Sequence, residues 1–122
     1  MQAWRGKQGQ ACTYCGDQAG PLEYHHRQPS RKLFSLGGFG ADRWDDAVIA
    51  DEIAKCDLAC HKCHRVVHRA ANTAYRMEDG EAHLRRMIAS GLKPIHVDAA
   101  LTLLHDMKGH SDVAARLLRR GY

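Results

Sequence analysis

Two C-x2-C pairs, Cys12/Cys15 and Cys60/Cys63, constrain this chain more than any other feature. Four thiols are a full ligand set for tetrahedral zinc, and two knuckles brought together supply it. An ion held this way clamps the forty-four residues between the pairs at both ends. It joins segments that apolar contact alone would not bring together. A chain of 122 residues, 44% apolar, gains from such a staple. A redox C-x2-C is the alternative for either pair alone, but two pairs occur and neither sits in a clear βαβ setting. Cys56 is the fifth cysteine and reads as a small buried apolar residue.

The first twenty residues are polar, with Arg5 and Lys7, and contain no apolar signal-like core. No run approaches the length of a membrane span. The expected protein is cytoplasmic, where paired cysteines bind zinc rather than form disulfides. Net charge is +4 with histidines neutral. Residues 81–122 are the more basic part, with 7 basic and 4 acidic groups against 11 and 10 in residues 1–80. That balance is compatible with a polyanionic partner.

Along the chain, Leu22–His26 reads as a short strand, and Pro29 holds the residue before it extended. Residues 30–43 read as a long loop with Gly37, Gly38 and Gly40. Asp42 is the expected cap of a helix to about Lys55, buried through Trp44, Val48 and Ile53. A second helix is expected from about His64 to Met77, ended by Glu78-Asp79-Gly80. Three short helices follow, marked by Leu84/Met87/Ile88, Val97/Leu101/Leu104 and Val113/Leu117.

The histidines exceed what the thiol site needs. His64 and His68 are four apart, which puts both imidazoles on one helical face, close enough to share an ion. His25 on the strand can complete a site of three protein ligands with positions left open. His26 stands beside it, and His61 is expected to point outward.

Three stretches together carry a resemblance: Cys12-x2-Cys15-Gly16; then Leu22-Glu23-Tyr24-His25-His26-Arg27-x-Pro29; then Glu52-Ile53-x-Lys55-Cys56-x-Leu58-x-Cys60-x2-Cys63-His64-Arg65-x2-His68. Over residues 12–69 the chain resembles the HNH endonucleases whose ββα-metal finger is braced by a four-cysteine zinc. The resemblance implies an α+β fold, with a β-hairpin and a helix around one catalytic ion (Mg2+, Mn2+, Ni2+ or Zn2+) beside a structural Zn2+. It implies hydrolysis of DNA phosphodiester bonds, with His26 as general base and His25, His64 and His68 as ligands. It also suggests a bacterial or phage-encoded protein. Lys55 stands where the family's asparagine usually does and is expected to donate a similar hydrogen bond that fixes the base. Asn72 lies too far along the helix to take that place.

Arg27, Arg65 and Arg69 flank the histidines and read as contacts to the neighbouring phosphates or to the transition-state charge, which would make Arg27 catalytic, and Arg31 and Lys32, which open the glycine loop, are similar cases; solvated surface charge is the alternative for each. The expected division is a nuclease domain over 1–78 and a helical region over 79–122. The latter, ending in Arg119 and Arg120, reads either as a helix-turn-helix-like DNA reader or as a packing bundle. A zinc module of the same fold that binds DNA without cutting, and a purely structural zinc domain, stand as alternatives.

Overall fold

The computed structural model describes residues 10–36 and 43–120. The glycines at 37, 38 and 40, and Asp42 with its expected cap, lie outside them. The described chain is α+β: a two-stranded antiparallel sheet and five α-helices. Strand β1 (Leu22–His26) pairs with β2 (Cys56–Cys60), with Leu22 opposite Cys60 and His26 opposite Cys56. Between them run a 3-10 turn at Pro29–Arg31 and helix α1 (Asp46–Ile53). After β2 come α2 (His61–Tyr75), α3 (Gly80–Arg86), α4 (Pro94–Gly109) and α5 (Ser111–Arg119).

Helix starts follow their capping groups. The Asp45 side chain accepts from the Val48 N–H at 3.0 Å, so α1 begins at Asp46. Trp44 therefore precedes the helix and is 39% exposed, instead of forming its buried face. Ile49 and Glu52 take that face, and Trp44 stacks flat on Phe34 at 4.8 Å between ring centres. Helix α2 starts three residues earlier than expected, because the Cys60 sulfur accepts from the Cys63 N–H at 3.4 Å. Asp79 caps α3 through the Ala82 N–H. The turn into α4 passes through Gly91 at φ +108°, a conformation that favours glycine, and Pro94 opens the helix where its missing N–H costs nothing.

Alternation along β1 sends neighbouring side chains to opposite faces of the sheet. One face looks toward α2 and the other toward α1. The principal core runs from Cys12 and Tyr14 through Val67, Ala71 and Ala74 of α2 to Leu103, Leu104 and Met107 of α4 and Val113 and Leu117 of α5. The expected boundary at residues 78–79 falls between α2 and α3, and apolar side chains from both sides of it share this one core. A smaller cluster, Leu36 and Ile49 with Tyr24, Phe34, Ile53 and Cys56, lies under α1. Cys56 is half-buried there, and burial pushes its thiol up to about 12. Among the described residues no helix is long and apolar enough to cross a membrane.

Candidate metal centre and histidine pocket

The sulfur atoms of Cys12, Cys15, Cys60 and Cys63 all lie within 4.8 Å of one another. Cys15 Sγ and Cys60 Sγ are 3.7 Å apart. Zinc–sulfur bonds in a tetrahedron put sulfurs about 3.8 Å apart, so the thiols are set as ligands of one zinc-type ion would be. Burial opposes ionisation of Cys12, but backbone N–H groups of Cys60, Cys15 and Tyr14 overcome it and hold the thiol at about 7. These four thiols can hold a zinc-type ion. His96 of α4 adds a group that sequence reasoning missed: its Nε2 lies 3.3 Å from Cys63 Sγ, and the ring is buried. An imidazole N–H directed at a thiolate offsets the negative charge of a four-sulfur site.

His25, His64 and His68 form a second cluster, each with a ring nitrogen within 4.8 Å of the others'. His25 Nδ1 and His68 Nε2 are 3.2 Å apart. Two imidazole nitrogens on one tetrahedral zinc stand about 3.3 Å apart. His64 Nδ1 faces Glu23 Oε1 at 2.8 Å, which directs the donor N–H there and leaves Nε2 for an ion. Burial, then the charge of His64, lowers His25 to about 4; burial, then His64 and His25, lowers His68 to about 2. Both are thus neutral at ordinary pH, as metal ligands must be. The donor set fits a divalent cation of the kind imidazole binds.

His26 points the other way, toward α1. Its Nε2 lies 2.7 Å from Glu52 Oε2, and Glu52 is 1% exposed. Lys55 Nζ donates to Glu52 Oε1 at 2.8 Å and to the Arg31 carbonyl at 3.0 Å. The Leu33 N–H also donates to Glu52. Burial raises the Glu52 carboxyl, but these donors outweigh it and the pKa is lowered. Burial lowers His26 as well, with Glu52 opposing. The expected hydrogen bond from Lys55 to the base is therefore replaced by an indirect one: Lys55 reaches His26 through Glu52. Two buried residues, one on each face of β1, meet at the end of the strand in a cavity of about 190 Å3 that also touches His64, His68, Arg116 and Arg120.

The expected cations divide. Lys32 and Arg120 line this cavity, and so does Arg116, which sequence reasoning did not single out. Arg27 instead bonds Asp57 at 3.1 Å and the Ala54 carbonyl, on the side where the Tyr14 hydroxyl donates to Asp57. Arg65 and Arg69 lie along a different cavity, of about 490 Å3, between α2 and α3. That location separates them from the histidine pocket. Arg31 and Arg119 have exposed side chains that line neither cavity. His61 is exposed, 3.4 Å from Glu23.

No protein-family model, no curated protein and no solved structure matches this chain.

Proposed function

We propose that the chain is a metal-dependent endonuclease of the HNH type that hydrolyses DNA phosphodiester bonds. One observation supports this above the rest: a three-imidazole ligand cluster and a separate, carboxylate-held imidazole open onto the same small cavity. His25, His64 and His68 would hold the divalent ion, which when bound supplies Lewis-acid charge neutralisation at phosphate.

The remaining chemistry belongs to the chain's own residues. Glu52 accepts the Nε2–H of His26, which leaves Nδ1 as the nitrogen free to take a proton. His26 removes a proton from water as its oxygen attacks phosphorus. The bond to the 3′ oxygen breaks, and that oxygen leaves with the bonding pair and takes a proton from solvent water, giving a 5′-phosphate and a 3′-hydroxyl. Glu23 holds His64 in the tautomer a ligand needs. The ββα-metal arrangement is the fold on which this reading rests.

A second reading, a zinc module that binds DNA without cutting, draws on the absence of a direct Lys55–His26 bond. Plasmid nicking separates the two. The zinc-loaded protein should nick or linearise supercoiled plasmid with magnesium, manganese or nickel, and His26→Ala should abolish this while its circular dichroism stays native. Full activity in that variant removes His26 as the base, and inactivity of the native chain with every metal favours the second reading.

A further inference from the structure

The cavity that holds the histidines continues into another. The second, of about 420 Å3, shares Lys32, Ser35, Arg116 and Arg120 with the first and is bounded beyond them by Leu33 and Phe34. Three cations from separate parts of the chain meet at this junction. Lys32 follows the 3-10 turn, Arg116 lies on α5, and Arg120 is its C-cap. All three line both cavities, so their charges face the same small space. Arg120 lines the first cavity together with His64 and His68, beside the histidine cluster.

Like charges so placed repel. Among the described residues neither Lys32 nor Arg116 forms an ion pair with a carboxylate. Glu52 acts on Lys32 electrostatically, but its oxygens already bond His26, Lys55 and the Leu33 N–H. A bound anion removes the repulsion, and guanidinium forks suit phosphate. At the far end Phe34 carries Trp44 stacked on it, tilted by only 11°, and Trp44 is 39% exposed. An exposed indole so close to clustered cations is the usual pairing for a strand whose bases are unpaired, since a base must leave its partner to stack on a side chain.

We propose that Lys32, Arg116 and Arg120 clamp the phosphate next to the scissile one, and that the Phe34–Trp44 stack receives an unpaired base, so that the substrate strand is single-stranded or frayed at the site. This rests on the nuclease reading for which phosphate is scissile. It also makes α5 part of the site rather than an appended DNA reader.

Fluorescence anisotropy of labelled oligothymidylate and of a matched duplex, with zinc-loaded protein and no added magnesium, tests it. The oligothymidylate should bind the tighter of the two. Arg116→Ala and Arg120→Ala should each weaken its binding several-fold and flatten the plot of log K against log salt by about 0.7. Trp44→Leu, which keeps an apolar cover over Phe34, should weaken single-strand binding and leave duplex binding unchanged. Native binding and salt slope in both arginine variants overturn the clamp. Equal loss on both DNAs in Trp44→Leu, or a preference for duplex, overturns the stacking site. The readout needs no cleavage. An inactive native protein showing these binding losses keeps the clamp and loses the nuclease, whereas plasmid cleavage with unaltered binding in the variants does the reverse.

Discussion

Glu52, 1% exposed, receives an imidazole, an ammonium and a backbone N–H. Removing its charge leaves Lys55 and His26 without their shared anion. On the proposed nuclease reading, Glu52→Gln should lower the kcat of plasmid cleavage by about 10²-fold with KM kept, because the amide holds the ring without stabilising its cation. Unchanged kcat would show that the carboxylate only packs. The buried histidines make a second, independent prediction. His25 and His68 titrate below the ordinary imidazole value in the folded chain, so from pH 6.5 downward the unfolded chain binds protons that the native one refuses. Stability is therefore complete above about pH 6.5 and declines as pH falls toward the lowered values. Urea midpoints measured from pH 7.5 to 5 should fall, and less steeply in His68→Leu, which lacks one of the two groups. Parallel slopes would contradict the assignment. The clustering of His64 and His68 was legible because i, i+4 spacing is itself a geometric statement. Glu52 was not, since an acid among Asp51 and Lys55 on a short helix reads as solvated surface.

The starts of α1, α2 and α3 depend on single capping groups, and α3 shows how tightly its neighbour holds it. A Cβ on Gly80 would sit 2.0 Å from the Ala74 carbonyl oxygen and 2.7 Å from its carbon, so the backbone at the end of α2 would have to move. Gly80→Ala should cost about 2–3 kcal/mol and lower the melting temperature by about 10 °C. A melting point equal to the native one would mean that the two helices separate freely. The helical stripes of α4 and α5 were readable from apolar spacing, and β1 from its bounding turns, but of the stripe expected for α3 only Leu84 lies in the helix and is buried, while Met87 caps its end and Ile88 beyond it is exposed. Strand β2 was hidden, because its five residues, Cys-Asp-Leu-Ala-Cys, are dominated by metal-motif chemistry and came only through the family likeness. The start of α1 was misplaced because three aspartates compete as caps and only contact geometry chooses Asp45.

At the scale of the molecule, α4 ties the thiol site to everything behind it. His96 touches Cys63, while Asp106 of the same helix accepts from the Ser30 N–H at 3.0 Å and from the Ser30 hydroxyl. One helix thus supports both the cysteine knuckles and the turn that leads to Lys32. His96→Ala should weaken zinc retention about tenfold in a chelator competition; unaltered retention would reduce the contact to packing. None of this was visible in the sequence, because residues 33 and 76 positions apart carry no shared periodicity. For the same reason Arg116 passed as an ordinary surface cation. Cys60 ends a strand, caps a helix and contributes a sulfur to the four-thiol site, all at one residue. Each residue by which a helix begins early or late turns its side chains by about 100°. The sulfur therefore works as a timing mark for α2: a slip of one position there would swing two imidazoles out of line with the third. Any transplant of the histidine trio into another scaffold must bring its distant thiol along.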